Sequence, residues 1–213
     1  MHKYKYIAIE GNIGAGKSTL ANFLHRHIPS NLLLEEFEEN DSLKDFYNNP
    51  KFALQAEMQF LLDRNRQLNQ FHSSTEGLII ADYIPKKSLI FAKLNLTPDD
   101  YQLYEQMANK MLNDFPQPDL VIYLKRTTDE LLQNIRQRGR DYETDIQPAY
   151  LNSLNESYEN DLDKLVDCPI IEIKAKDIVL NNVQGLKAAF ERIFQSDFAS
   201  TRRNVDLAQL QSV

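Results

Sequence analysis

Gly11 and Gly16 enclose four residues and are followed by Lys17, Ser18 and Thr19, a spacing that fits G-x-x-x-x-G-K-[ST]. Each residue type has a task there if the ligand is a polyphosphate. Glycines at 11, 14 and 16 let the backbone turn tightly and approach phosphate oxygens without a Cβ in the way. Successive N–H groups of Asn12, Ile13, Gly14, Ala15 and their neighbours then point into one anion-sized hollow. Lys17 adds a point charge for the terminal phosphates, and the Ser18 hydroxyl suits the Mg²⁺ that accompanies them. The same residues could make an ordinary strand-to-helix turn. The alternating apolar run Tyr4 to Ile9 before them and the amphipathic segment from Leu20 after them supply the context that a phosphate loop requires.

Three further groups could do chemistry. Leu32-Leu33-Leu34 runs straight into Glu35, and ligands of parallel α/β sheets bind at the carboxyl ends of strands, so a carboxylate there is placed to act on an alcohol. Read from the residues alone, Glu35 is equally a member of a solvated acidic loop with Glu36, Glu38 and Glu39. Leu78 to Ala81 reads as a buried strand ending in Asp82, an arrangement resembling Walker B and suited to the shell of a bound Mg²⁺. Arg136 to Glu143 concentrates charge around Gly139, which suggests a lid that closes over phosphates or, more plainly, a solvated helix end.

The elements that must hold these groups follow from periodicity. Leu20, Phe23, Leu24 and Ile28 recur at helical steps up to Pro29. A helical pattern covers Ser42 to Phe71 with a break at Asn48-Asn49-Pro50, and its second part is apolar over much of its circumference, which suits packing on two sides and a subunit interface. Thr97 caps a helix reaching Leu112, and further helices are expected over Thr128–Ile135, Pro148–Val166 and Val183–Phe194. Strands near residues 4–9, 31–34, 78–81, 120–124 and 170–173 alternate with them. The predicted class is α/β, a three-layer α/β/α P-loop fold with a five-stranded parallel sheet. Residues 1–195 read as one domain with a lid at about 136–146, and the polar stretch 196–213 as a tail that is mobile or loosely docked.

Composition narrows the function. With 213 residues, 42% hydrophobic and 26% charged, the chain can bury a core without staples. One cysteine, Cys168, and four scattered histidines make neither an internal disulfide nor a zinc spacing. The net charge of −7 opposes nucleic-acid backbones, no apolar run reaches membrane-spanning length, and the loop begins too early for a signal peptide, so a cytoplasmic protein acting on small phosphorylated ligands is expected. A GTPase base reader is missing: the nearest match, Asn109-Lys110-Met111-Leu112, lacks the aspartate and falls inside a helix. An arginine-rich lid between helices points instead to a small-molecule kinase.

Taken together the motifs resemble the deoxynucleoside kinase family. Gly11-Asn12-Ile13-Gly14-Ala15-Gly16-Lys17-Ser18-Thr19 is similar to its G-N-I-x-x-G-K-S-T, and Leu34-Glu35-Glu36-Phe37 stands where it has E-P-V. Tyr47-Asn48-Asn49-Pro50, Phe52-Ala53-Leu54-Gln55, Arg138-Gly139-Arg140 through Glu143, and Pro148-Ala149-Tyr150-Leu151 extend the likeness over about residues 4–175. The resemblance implies strand order 2-3-1-4-5 and transfer of the γ-phosphoryl of ATP, with Mg²⁺, to the 5′-hydroxyl of a deoxynucleoside, with purines slightly favoured. It implies Glu35 as general base, Gln55 on the nucleobase, Tyr47 and Glu143 on the sugar 3′-hydroxyl, and Arg138 and Arg140 on phosphate oxygens. A homodimer through the helix of residues 52–70 is expected. One departure stands out: where the family has an acid followed by Arg-Ser, this chain has Asp82-Tyr83, leaving Lys86, Lys87 or the lid arginines to supply the missing charge. Two alternatives share these features: a thymidylate-type nucleoside monophosphate kinase, whose acceptor phosphate Lys86, Lys87 and Arg64 could hold, and a non-catalytic nucleotide-binding regulator.

Overall fold

The computed structural model describes residues 3–36, 46, 49–72, 76–140, 143 and 146–211. Tyr6–Gly11 (β1) is the buried central strand, paired in parallel with Ile79–Ala81 (β3) on one side and Leu120–Lys125 (β4) on the other. Asn31–Leu33 (β2) pairs with β3, and Ile170–Lys174 (β5) with β4. The order β2-β3-β1-β4-β5 matches the expected arrangement.

Period-two alternation along β1 divides its side chains between two cores. Ile7 and Ile9 join one cluster with Leu20 and Leu24 of Lys17–His27 (α1). Tyr6 and Ala8 join the other with Leu61 and Leu68 of Ala53–His72 (α2). This second layer also contains Lys87–Asn95 (α3), Pro98–Leu112 (α4) and Pro148–Leu165 (α6). Between β4 and α6 lies Thr128–Arg138 (α5), started by a Thr127–Glu130 capping box. Because the strands are parallel, their carboxyl ends lie along one edge of the sheet, and the segments after β2 and β3 meet the first loop there.

The end of the chain, expected as a mobile or loosely docked tail, carries regular structure. After Val183–Gln195 (α7), Arg202–Asn204 forms a sixth strand (β6), parallel to β5, and Leu207–Gln211 (α8) follows. Leu207 is buried in the first core, and Arg192 donates to the Leu210 carbonyl at 2.8 Å. An edge strand needs no apolar alternation when it is held otherwise. Here Arg202 donates from Nε to Glu172 at 2.8 Å and lies over the Tyr123 ring, 4.9 Å from its centroid. The domain therefore extends past residue 195. Among the described residues no helix is long and apolar enough to cross a membrane.

Candidate active site

The loop after β1 is built to receive an anion. Gly14 has φ 80°, and a Cβ there would stand 2.8 Å from the Leu131 carbonyl oxygen, so both backbone and space demand glycine. Helix α1 starts at Gly16 with no side-chain cap and no acidic residue in its first turn, leaving its N–H groups and positive dipole end available. Asn12, itself buried, ties the loop to α6 through the Leu151 carbonyl at 2.9 Å and Asn155 at 2.7 Å, and its Oδ1 accepts from the Ile13 N–H. Lys17 Nζ donates to the Asn12 carbonyl at 3.0 Å. Burial and then the charge of Lys87 lower the Lys17 ammonium to about 8, a proton affinity that a phosphate ligand would restore. An adjoining cavity shares Gly14 and Arg138 and is also lined by Ala15, Gly16, Thr19, Arg126 and Asn134.

Glu35 sits just past β2 in a second cavity, together with Lys17, Ser18, Asp82, Arg138, Arg140 and Glu143. It belongs to an ion-pair cluster rather than a solvated acidic loop. Lys87 Nζ donates to its Oε2 at 2.5 Å, and Arg64 Nη2 donates to its Oε1. Burial by itself would raise the Glu35 carboxyl; Lys87 and then Arg64 overcome it and hold the group at about 2. Its backbone N–H donates to Asp82 Oδ1 at 2.7 Å, joining the ends of β2 and β3, while the Ser18 hydroxyl donates to Asp82 Oδ2. Burial, followed by the Glu35 charge, raises the Asp82 carboxyl. Ser18 and Asp82 thus present hard oxygen donors side by side, as a Mg²⁺ site shared with phosphates requires.

The lid is organised by Gly139, which closes α5 in the left-handed region at φ 67°. The turn brings the arginines on either side of it to one carboxylate. Arg138 donates to Glu143 Oε2, and Arg140 Nη1 donates to Oε1 at 3.3 Å.

One outcome differs from the sequence reading and two sharpen it. Gln55 is exposed on α2 and does not line the cavity; Glu57, two residues on, is buried and does. Two residues turn a helix by about 200°, so the neighbouring polar side chain faces the opposite way. Tyr83 occupies the place of the expected arginine as a fully buried ring beneath Arg64, whose guanidinium carbon lies 5.2 Å from the ring centroid; the Tyr83 hydroxyl donates to Gln67 at 2.5 Å. Of the candidates for the missing charge, Lys87 is the one that meets Glu35. Tyr47 lies outside the described residues.

Sequence reasoning also missed Glu10 and gave Glu57 no part. Glu10 is fully buried under the loop, accepting from Ile84 N–H at 2.7 Å, Tyr158 hydroxyl at 3.0 Å and Gly11 N–H at 3.2 Å, and burial raises its carboxyl. A lone acid between the apolar run and the first glycine was its only signal. Glu57 accepts from Asn95 Nδ2 at 2.8 Å, and burial pushes its carboxyl up to about 7.

Comparison with known proteins agrees with this geometry. The sequence model of the family described as deoxynucleoside kinase matches residues 7–195. The chain is 36% identical over 203 residues to the deoxyguanosine kinase of Bacillus subtilis (strain 168), covering 91% of this chain and 96% of that protein. It is 28% identical over 200 residues to the deoxyadenosine/deoxycytidine kinase of the same organism, covering 90% and 92%. Its fold matches the solved structure of deoxyadenosine kinase from M. mycoides with bound dATP at a TM-score of 0.74 and 28% identity, covering 84% of this chain and 95% of that one.

Proposed function

Since the chain belongs to the deoxynucleoside kinase family, a family of phosphotransferases acting on a hydroxyl group, we propose how its residues divide that work. The observation carrying the reading is Glu35, an ionised carboxylate in one cavity with the phosphate-loop lysine and both lid arginines.

The donor is ATP. The uncapped start of α1, the N–H groups of residues 11–19 and Lys17 bind its β- and γ-phosphates. Ser18 and Asp82 would hold Mg²⁺, which neutralises charge on the phosphate oxygens when bound. The acceptor is the 5′-hydroxyl of a deoxynucleoside. Its oxygen forms a bond to the γ-phosphorus as the bond from that phosphorus to the β,γ-bridging oxygen breaks, and ADP leaves. Glu35 accepts the hydroxyl hydrogen throughout and takes the proton. With a carboxyl held at about 2, it is a weak base, suited to a loose transition state in which the proton becomes acidic late. Departure of Lys87 from Glu35 toward incoming phosphate would strengthen that base and lend the charge that Tyr83 lacks. Arg138 and Arg140, moving from Glu143 to the transferring group, stabilise charge as it develops. Glu143, so released, binds the sugar 3′-hydroxyl together with Tyr47.

The acceptor side favours a nucleoside over a nucleoside monophosphate. Arg64, a cation that an acceptor phosphate would need, is held by Glu35, and the buried carboxyl of Glu57 lines the same cavity. The protein acts in the cytoplasm and as a homodimer, the second reading supported by exposed Leu62 on α2 and exposed Leu103 and Met107 on the packed helix α4. A coupled assay offering ATP with deoxynucleosides or with their monophosphates tests the assignment. Turnover of nucleosides is expected; turnover of monophosphates alone would overturn it.

A further inference from the structure

The acceptor cavity contains a carboxylate for which phosphoryl transfer has no use. Glu57 is 5% exposed, and among the described residues it has no ion-pair partner. Its side chain accepts one hydrogen bond, from Asn95 to Oε1, so Oε2 and a second lone pair on Oε1 remain for something else. Burying an unpaired carboxylate is costly, and such groups in clefts mark sites where a ligand supplies the missing partner. Glu57 is also held firmly. Asn95 comes from α3, and Tyr104 of α4 donates to the Glu57 backbone carbonyl at 3.3 Å. The carboxylate therefore has a fixed place at the cavity wall.

A carboxylate is an acceptor with two parallel oxygens, and it selects a partner that presents two adjacent N–H donors. Among the four DNA bases only guanine offers that pair, N1–H beside the 2-amino group. Adenine and cytosine put a ring acceptor next to their amine, which a carboxylate repels, and thymine has a single N–H. Arg64 lies seven residues from Glu57, on the same face of α2, and lines the same cavity. Its Nε and Nη1 have no hydrogen-bond partner, so the guanidinium adds the positive field that favours an exocyclic carbonyl and opposes an exocyclic amine. We infer that Glu57 is the specificity-determining residue of this kinase and selects a 2-amino-6-oxopurine by accepting from N1–H and the 2-amino group.

This inference rests on the kinase reading above, and the test separates the two. Wild type and Glu57→Gln are assayed with ATP and deoxyguanosine, deoxyinosine or deoxyadenosine, and binding of each nucleoside is measured by calorimetry. Wild-type kcat/KM is expected to fall in that order, with deoxyinosine intermediate because it keeps N1–H and loses the 2-amino group. Glutamine offers one acceptor and one donor, so the variant should lose at least about tenfold of the deoxyguanosine-to-deoxyadenosine ratio, while its circular dichroism spectrum and its ATP binding report an intact fold. An unchanged ratio, or wild-type preference for deoxyadenosine, would overturn the role of Glu57 and leave the kinase standing. Selective, Glu57-dependent binding of deoxyguanosine without phosphorylation would overturn the kinase reading and leave Glu57 as the base reader.

Discussion

Replacing Glu35 by glutamine tests the chemistry and the electrostatics of the site at once. The substitution preserves shape and removes one charge. Displacement of the Glu35 carboxyl from 4.5 to about 2 is equivalent to about 3 kcal/mol in favour of its ionised form, and the group is only 17% exposed, so solvent screens little of this. At neutral pH the variant should lose about that much unfolding free energy, because Arg64 and Lys87, 4% and 6% exposed, lose their counter-ion. The sign follows from a depressed folded-state pKa. The stabilisation is complete above about 4.5 and disappears as the pH falls through about 2, so the difference between wild type and Glu35→Gln narrows over that window. Turnover should fall about 10²- to 10⁴-fold through loss of the proton acceptor, with deoxynucleoside binding retained. Denaturant unfolding at pH 7 and pH 3, together with steady-state kinetics, measures both effects. A kcat within about threefold of wild type would remove Glu35 as the base; a stability gap undiminished at pH 3 would refute the ion-pair account.

Other consequences can be checked with simple variants. Lys17→Ala should abolish turnover and leave the circular dichroism spectrum intact. In the wild-type protein kcat/KM for ATP should decline above about pH 8 as free Lys17 loses its proton, while Glu35, ionised far below that range, adds no acid limb above pH 5. Leu62→Asp combined with Leu103→Asp should shift the protein from dimer to monomer in analytical ultracentrifugation, as expected if these exposed side chains meet a second copy. Leu207→Ala should cost about 2 kcal/mol or more by denaturant unfolding and leave kcat near wild type, since its buried side chain anchors the end of the chain away from the cavity.

Local rules fixed the phosphate loop. Its spacing, the strand before it and the uncapped helix after it all lie within about 25 consecutive residues, whereas the demand for glycine at position 14, an unconstrained place in the motif, shows only in its backbone angle and the nearby Leu131 carbonyl. Alternation of strands with helices determined the layers, and the strand end at Glu35 told which edge of the sheet carries the chemistry. Facing and pairing needed the tertiary structure. A helix apolar around most of its circumference has no legible phase, so only the structure shows that Glu57 and not Gln55, roughly 200° away, lines the cavity. Lys87 could be separated from Lys86 only when α3 turned one of them onto Glu35. The polar strand Arg202–Asn204 had no periodicity to announce it, because backbone pairing with β5 and the contacts of Arg202 with Glu172 and Tyr123 hold it at an edge where side chains face water. Sequence order carries the chemistry that neighbouring residues perform together; which distant charge meets Glu35, and which acid lines the acceptor cavity, is decided by packing.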